Sequence, residues 1–274
     1  MKFPPTIGLR LKLLHLALAP GLSSDAVGRA VNRFGGSNYR DICANETPFD
    51  LVWKLSSQPG TPFPDFSAQV EPPASFAPPN LPAYYNSEPS VVRFLAQLVF
   101  LRQPRNVLEI GCFVGWASVH MALALKARSS CGHLHCVDIS PEALSAARAN
   151  FVRHDVGSLA TTYLGNSLDP EVLAKLPAKA DMIFIDSSHR YPETLHEITA
   201  YAPRLAPGGC IVLHDSISFP GVRQSLAELG NRFQAHTFAT ECSNGITVLT
   251  PDNLALTGEQ PDAKNPTRIN QRTS

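Results

Sequence analysis

The stretch Asn106-Val-Leu-Glu-Ile-Gly-Cys-Phe-Val-Gly115 joins an apolar run to two glycines, and a second apolar run follows directly behind it. Residues 107–110 are typical of a buried strand, and residues 116–125 are typical of a helix. A strand, a glycine turn and a helix in this order place free backbone N–H groups at the carboxyl end of a parallel sheet. Nucleotide-like ligands bind there in α/β folds. Gly111 and Gly115 let the backbone approach such a ligand closely.

The spacing of the glycines narrows the class of ligand. A dinucleotide fingerprint has the form G-x-G-x-x-G, whereas this stretch has Glu-x-Gly-x-x-x-Gly, with Phe113 where that fingerprint needs a glycine. The pattern therefore disfavours an NAD-dependent enzyme. An ordinary strand-to-helix turn that happens to contain two glycines stays open as the alternative for this stretch alone.

Strand and helix patterns alternate after this turn, which predicts a parallel sheet with helices on both faces. The last two strands are joined by a short connection, which favours an antiparallel pair. The predicted fold class is α/β, with a doubly wound, mostly parallel seven-stranded sheet and an antiparallel C-terminal strand. The further strands are predicted at 133–138, 161–164, 181–186, 210–215, 233–239 and 246–250, and the helices at 89–101 (capped by Ser87), 141–152 (capped by Ser140), 170–176, 192–205 and 221–229. Pro203 is expected to end the regular part of the helix at 192–205, and a turn at 207–209 is expected to lead into the fifth strand.

The chain divides into three predicted parts. Residues 1–88 form a helical and proline-rich cap, with helices at 6–20 and 26–34 and many prolines from residue 48 onward. Aromatic residues lie among the prolines, so we expect an ordered segment whose end, at Tyr84-Tyr85-Asn86-Ser87-Glu88, approaches the ligand site; plain packing on the domain surface is the alternative. Residues 89–250 form the α/β domain, and residues 251–274 are a polar tail predicted to be disordered.

Composition limits the partners and the compartment. Lysine and arginine number 23, as do aspartate and glutamate, and no basic block occurs, so nucleic acid is not an expected partner. No apolar run reaches the roughly 20 residues that cross a bilayer. Residues 7–19 are apolar but carry charges, which favours an amphipathic helix over a signal peptide.

The cysteines also bear on the compartment. They are scattered, which favours reduced thiols and a cytoplasmic protein. The run Cys131-Gly-His-Leu-His-Cys136 admits a zinc site, but a strand, whose neighbouring side chains point to opposite faces, explains it better. The six cysteines are Cys43, Cys112, Cys131, Cys136, Cys210 and Cys242.

Polar side chains stand at the predicted strand ends, which share one crevice in a parallel sheet. Asp138 ends the second strand, where a carboxylate can accept both hydroxyls of a ribose, although a helix N-cap is the simpler role. Asn166 and Ser167 follow the third strand and are candidates for an adenine edge, or belong to an ordinary loop.

Four motifs in this order resemble class I S-adenosylmethionine (SAM) dependent methyltransferases. The resemblance covers residues 89–250 and is greatest to the small-molecule O-methyltransferase branch that includes catechol O-methyltransferase-like and cephalosporin-hydroxylase-like enzymes. The motifs are Val107-Leu-Glu-Ile-Gly-Cys-Phe-Val-Gly115, Val137-Asp-Ile-Ser140, Asp181-Met-Ile-Phe-Ile-Asp-Ser-Ser-His189 and Leu205-Ala-Pro-Gly-Gly-Cys-Ile-Val-Leu-His-Asp215.

The resemblance implies a Rossmann-like methyltransferase fold with SAM as its cofactor. Related enzymes often have serine two places after the second glycine, where this chain has Ala117 beside Ser118, so one cofactor contact is lost or shifted. The cofactor-binding residues implied are Glu109, Gly111, Cys112, Phe113, Gly115, Ser118, Asp138, Ile139, Asn166, Ser167 and Asp186.

The expected reaction is methyl transfer to a hydroxyl of a small molecule, for which a base must remove the hydroxyl proton. His189, three residues past Asp186, is the candidate base, and these two residues are the predicted catalytic pair; a structural histidine at the turn is the alternative. Asp186 and Asp215 end neighbouring strands and are candidate Mg²⁺ ligands. His214 is a poor magnesium ligand, so His214 and Asp215 have the alternative of orienting the acceptor or polarising His189.

Other functions stay open at this stage. The same fold supports methylation of nitrogen or carbon, reactions without methyl transfer, and non-catalytic binding modules. A homodimer is compatible with the sequence, which identifies neither the acceptor nor a membrane or protein partner.

Overall fold

The computed structural model describes residues 66, 69–82, 85–128, 131–238, 240 and 244–251. The predicted helices at 6–20 and 26–34, and the predicted disordered tail beyond residue 251, lie outside these residues. Within them, no helix is long and apolar enough to cross a membrane. Cys112, Cys131, Cys136 and Cys210 are free thiols, as predicted, whereas Cys43 and Cys242 lie outside the described residues.

The described residues contain one seven-stranded sheet with the order β3-β2-β1-β4-β5-β7-β6. Strands β1 to β5 pair in parallel, and β7 runs antiparallel between β5 and β6. The predicted fold class is therefore confirmed. The strands are β1 Asn106–Ile110, β2 His133–Asp138, β3 Ala160–Leu164, β4 Ala180–Ile185, β5 Leu205–His214, β6 Phe233–Phe238 and β7 Ile246–Pro251.

Helices cover both faces of this sheet. The first three pack with Val107 and Met182 on one face, and the other three pack with Leu108 and Ile183 on the opposite face. This follows from the alternation of side chains along each strand, which buries neighbouring apolar residues in different cores. The helices are α1 Pro89–Arg102, α2 Trp116–Ala127, α3 Pro141–Arg153, α4 Pro170–Lys175, α5 Glu193–Tyr201 and α6 Pro220–Leu229.

The start of α1 differs from the prediction. The N-cap is Glu88, with no side-chain capping bond, and the predicted cap Ser87 instead donates its hydroxyl to Asp186 Oδ2 at 2.8 Å. Pro89 already lacks an N–H group, so the first turn has one donor fewer to satisfy. A long-range contact has taken the hydroxyl that the local pattern assigned to the helix.

The boundary between α5 and β5 agrees with the prediction only in part. Helix α5 ends at Tyr201, and Pro203 lies in a following 3₁₀ turn, Ala202–Arg204, so this proline follows the regular helix as expected. The predicted turn at 207–209 lies inside β5, whose pairing with β4 is irregular between Ala180 and Met182. Between these two pairs β5 has more residues than β4, so Gly208 and Gly209 lie in a bulge and do not end the strand.

The described part of the proline-rich segment packs on the α/β domain. Phe66, Val70 and Phe76 are buried in the same core as α1 and α2. Phe76 meets Trp116 edge to face at 5.1 Å, and Asn150 Nδ2 donates to the Phe76 carbonyl at 3.0 Å. This packing brings the chain around the domain and leads it to the carboxyl ends of the strands.

Gly111 sits where the glycine turn passes over the end of β4. Its φ is +85°, and a Cβ built on it would lie 2.0 Å from the carbonyl oxygen of Asp186. The Gly111 N–H donates to the Val137 carbonyl at 2.9 Å, and the Asp186 N–H donates to the Ile110 carbonyl at 2.8 Å. The turn is thus fastened to both neighbouring strands with no space for a side chain.

We expect Gly111→Ala to lower the free energy of unfolding by more than about 3 kcal/mol, because it combines a backbone clash with a positive φ. Gly230→Ala is the control for positive φ alone, since φ is +56° and no atom lies within 4 Å of the added Cβ. We expect it to cost about 1–3 kcal/mol. Gly157→Ala has neither feature and should change stability by about 0.5 kcal/mol or less. Denaturant unfolding measures all three, and equal losses at Gly111 and Gly157 would contradict this account.

Candidate active site

A cavity of about 890 Å³ opens at the carboxyl ends of the parallel strands. Its wall combines the glycine turn, the ends of β2 to β5 and the segment that precedes α1. The predicted site residues that line it are Glu109, Gly111, Cys112, Phe113, Asp138, Ile139, Asn166, Ser167, Asp186, His189 and Asp215. The crossover topology thus brings together side chains that are far apart in sequence.

Gly115 and Ser118, also predicted to bind a cofactor, lie behind this wall. Gly115 is the N-cap of α2 with φ +81°, and a Cβ there would lie 2.9 Å from the Phe151 ring. Ser118 is fully buried, and its hydroxyl donates to Glu109 Oε2 at 2.5 Å. The structure therefore gives both residues a supporting place, Gly115 against α3 and Ser118 beneath Glu109.

Glu109 is buried at the inner end of the cavity. Burial raises the pKa of its carboxyl to about 8, although the hydroxyl of Ser118 and the thiol of Cys136 act in the opposite direction. The nearby charges of Asp186 and Asp138 add to the increase. A carboxyl group with this pKa is mostly protonated at pH 7.

Asp138 is held by the backbone at the end of β2. Its Oδ2 accepts from the Phe113 N–H at 2.8 Å, and its Oδ1 accepts from the Ser140 N–H at 2.9 Å. The N-cap of α3 is Ser140, as predicted, whose hydroxyl accepts from the Ala143 N–H. A carboxylate has about four acceptor positions, so Asp138 retains acceptor capacity. Beside it, the apolar side chain of Ile139 is 73% exposed.

Beyond β3, the loop with Asn166 and Ser167 is fixed from below by α5. Glu197 accepts from the Ser167 hydroxyl at 2.6 Å and from the Ser187 hydroxyl at 2.5 Å. Burial raises the pKa of Glu197. Asn166 Oδ1 accepts from the Leu168 N–H at 2.9 Å. Glu197 was not predicted as a site residue, because one acid on an amphipathic helix gives no sign that it faces inward.

Two acids and two histidines meet at the ends of β4 and β5, and we call Asp186, His189, His214 and Asp215 the acid–histidine cluster. Asp186 Oδ1 lies 3.0 Å from His189 Nε2 and 3.1 Å from His214 Nδ1. Asp215 Oδ2 lies 3.3 Å from His189 Nε2 and 3.7 Å from His214 Nδ1. The four donor atoms all lie within 4.8 Å of one another.

The segment before α1 closes the cluster from the far side. Glu88 Oε2 lies 2.6 Å from His214 Nε2, and both side chains are buried. Trp116 Nε1 donates to the Ser87 carbonyl at 3.1 Å, which fixes this segment to α2. The expected approach of residues 85–88 to the site is therefore observed. The contacts of Ser87 and Glu88 were not predicted, because no local pattern encodes a bond across 126 residues.

The charges of the cluster depend on one another. Burial lowers the pKa of His214, but Asp186, Glu88 and Asp215 outweigh it and hold that pKa well above its usual value. For His189, burial again lowers the pKa, and Asp186 and Asp215 raise it overall. Burial alone raises the pKa of Asp186, but the two histidines hold it below its usual range.

Asp215 differs from Asp186. Burial raises its pKa to about 6, and His214 and His189 only partly oppose that increase. We infer that His214 is an imidazolium at neutral pH, because both ring nitrogens face carboxylates.

Local backbone geometry holds the cluster in place. His189 and Asp215 both have φ +56°, a left-handed conformation that residues other than glycine rarely adopt. Gly221, at the start of α6, lies so close to the loop of His189 that a Cβ would sit 2.5 Å from the His189 carbonyl oxygen. The ring of Phe219 lies 4.8 Å from that of His189 and is 41% exposed at the cavity.

The sequence of this chain is similar to those of known methyltransferases. Residues 108–216 match the family described as a methyltransferase domain. The chain is 30% identical over 145 residues to the catechol O-methyltransferase of Niastella koreensis, a match that covers 52% of this chain and 62% of that protein. The chain therefore spans about three fifths of the length of this curated relative.

Solved structures show the same fold. The O-methyltransferase from Bacillus cereus, solved in complex with S-adenosylhomocysteine (SAH), superposes with a TM-score of 0.56 at 20% identity, covering 82% of this chain and 96% of that one. The O-methyltransferase TomG from Streptomyces achromogenes, solved with SAM, gives 0.53 at 19% identity, covering 78% and 93%. With the match of residues 108–216 to a methyltransferase domain, these likenesses confirm the predicted resemblance to class I SAM-dependent methyltransferases, and the chain has the fold of the solved O-methyltransferases.

Proposed function

We propose that this protein transfers a methyl group from SAM to a hydroxyl of a small molecule. The observation that carries the proposal is one cavity that joins a glycine turn and an anchored carboxylate, Asp138, to the acid–histidine cluster. The first part suits a nucleoside cofactor, and the second suits removal of a proton. The match of residues 108–216 to a methyltransferase domain supports this pairing.

The cofactor is proposed to lie along the glycine turn. Asp138 accepts the ribose hydroxyls with the acceptor positions that its two backbone bonds leave, and Ile139 packs on the adenine ring. Asn166 and Ser167 face the adenine edge. Glu109, Gly111, Cys112 and Phe113 face the methionine portion, where the ammonium group of SAM favours the ionised form of Glu109. Gly115 and Ser118 act through the turn and through Glu109.

The proposed reaction is an in-line displacement with His189 as the base. The acceptor oxygen forms a bond to the methyl carbon, the bond from that carbon to sulfur breaks, and the sulfonium leaves as a neutral thioether. The acceptor proton passes to His189. Because Nε2 of this ring faces Asp186 and Asp215, we assign the N–H of the neutral ring to Nε2 and the basic lone pair to Nδ1.

Asp186 is proposed to position His189 and also to lie beside the methionine portion of SAM. Its Oδ1 fixes the tautomer of His189 and stabilises the imidazolium that forms when His189 takes the proton. Ser87 holds the other oxygen of the same carboxylate. One carboxylate oxygen of Asp186 thus contacts the two histidines, and the other contacts the segment before α1.

Magnesium does not fit this donor set well. Mg²⁺ requires octahedral oxygen coordination, whereas Asp186 and Asp215 are here each engaged by two imidazoles. The residue after Asp215 is Ser216, which is buried and offers only a hydroxyl. The proposed reaction therefore includes no step through magnesium.

The acceptor is proposed to enter beside Phe219, whose ring faces the cavity next to His189. Residues 1–88 are proposed to act as a cap over this entrance, with residues 89–250 as the catalytic domain. A cytoplasmic location and a homodimer stay predictions.

Binding of SAH should release a proton at pH 7. Glu109 has a pKa of about 8 in the free protein, and the ligand ammonium lowers it, so a group that is mostly protonated becomes ionised on binding. Calorimetric titration in buffers of different ionisation enthalpy should show release of up to about one proton. Glu109→Gln should abolish the buffer dependence, and release that persists in this variant would contradict the assignment.

Replacing His189 should slow methyl transfer without weakening the cofactor site. We expect His189→Asn to reduce kcat by about 10²–10⁴-fold, with the Kd of SAH changed by no more than about twofold. Transfer of labelled methyl groups to a panel of phenols and catechols measures the rate. The loss should shrink for strongly acidic phenols, which are ionised without a base. His196→Asn, on the exposed surface of α5, is the matched control.

The rate for weakly acidic acceptors should also rise with pH. The pKa of His189 is raised above 6.5, so the ring is protonated and inactive as a base below that pKa and becomes active above it. A kcat that is independent of pH, or an equal loss for acidic and weakly acidic phenols in His189→Asn, would indicate a structural histidine.

A further inference from the structure

The acid–histidine cluster has the dimensions of a metal site of a different class from the one that the family implies. The four nitrogen-to-oxygen separations are 3.0, 3.1, 3.3 and 3.7 Å. Ligand bonds of about 2.0–2.1 Å in tetrahedral zinc sites place neighbouring donor atoms about 3.3 Å apart. Four of the six separations between these donor atoms are thus close to the edge of such a tetrahedron, and all six lie within 4.8 Å.

Glu88 supplies the outer contact that such sites use. A histidine that binds a metal through one ring nitrogen donates its other N–H to a carboxylate or carbonyl in most proteins. His214 has this arrangement, because Nδ1 faces the cluster while Nε2 meets Glu88 Oε2 at 2.6 Å. The ring is therefore oriented with the correct nitrogen toward the centre of the cluster.

Two further features of the cluster are backbone strain and a buried oxygen atom without a hydrogen-bond partner. His189 and Asp215 keep left-handed backbone conformations that cost energy. Oδ1 of Asp215 is buried and has no hydrogen-bond partner among the described residues. A buried carboxylate oxygen without a partner is unfavourable in a merely structural ion pair, and rotation of this carboxylate offers it to an ion.

We propose that Asp186, His189, His214 and Asp215 bind one divalent transition-metal ion of the zinc class, with Glu88 orienting His214. Mixed nitrogen and oxygen donors select ions such as Zn²⁺ or Co²⁺ over Mg²⁺, which prefers oxygen alone. Binding displaces the protons that the two ring nitrogens donate to Asp186.

Metal binding at this site prevents His189 from acting as the base. This consequence rests on the proposed function. An ion bound at Nε2 of His189 leaves the single proton of the neutral ring on Nδ1. Nδ1 is the atom assigned to receive the acceptor proton, and it becomes a donor instead of an acceptor. Zinc-class ions should therefore inhibit methyl transfer reversibly, with EDTA restoring the rate.

The direct test is titration of EDTA-treated, dialysed full-length protein with Co²⁺, whose visible absorption is intense in four-coordinate sites. We expect about one ion per chain, displacement by Zn²⁺, and no displacement by millimolar Mg²⁺. His214→Asn should abolish the absorption. Glu88→Gln, which keeps all four ligands, should weaken binding about 10–100-fold. His196→Asn is the control and should bind as the unaltered protein does.

Folding and function are checked separately from metal binding. Retained SAH binding by His214→Asn shows that its loss of Co²⁺ is not misfolding, and Glu88→Gln gives a second measurement if His214→Asn fails to fold. Absence of saturable Co²⁺ or Zn²⁺ binding below millimolar concentration would overturn the proposal, as would binding unchanged in both variants. Metal binding without any methyl transfer would leave this site intact and would count only against the proposed function.

Discussion

The carboxyl end of β4 is the point on which the site depends, and Asp186 is the residue at that point. Its backbone N–H bonds to the end of β1, and its carbonyl oxygen lies where a Cβ of Gly111 would have to be. One carboxylate oxygen meets both histidines, and the other accepts from Ser87. A single residue therefore joins the glycine turn, the proposed base and the segment before α1. Displacement of Asp186 would change all three together.

Burial gives the carboxylates around this point different chemistry. Burial raises the pKa of Glu109 to about 8, and no cation among the described residues opposes that increase. Asp186 lies between two imidazoles, which reverse the effect of burial and lower its pKa. One end of the cavity is thus protonated at neutral pH, while the other contains charged pairs. Removing one partner of a buried charged pair leaves the other charge uncompensated. This typically lowers the free energy of unfolding by about 3–5 kcal/mol. This electrostatic arrangement fixes the cluster in one geometry.

The sequence predicted the parts of the site that lie at strand ends. The apolar strands, the glycine spacing and the acids that follow them were sufficient to place Asp138, Asp186 and Asp215 in one cavity, since parallel strands share their carboxyl edge. The sequence did not predict contacts across long separations, such as Glu88 with His214, or which nitrogen of His189 faces a carboxylate. It also misassigned Ser87, because a helix-capping pattern is local, whereas its hydroxyl bonds to a residue 99 positions away.

The most direct measurement is calorimetric titration of SAH into the protein and into Asp138→Ala. Asp138 is anchored by two backbone N–H groups, and it is the proposed ribose ligand within the cavity. We predict micromolar binding to the unaltered protein and at least about tenfold weaker binding to the variant, since each tenfold is about 1.4 kcal/mol. No binding to the unaltered protein, or equal binding to both, would contradict the claim that this cavity holds SAM.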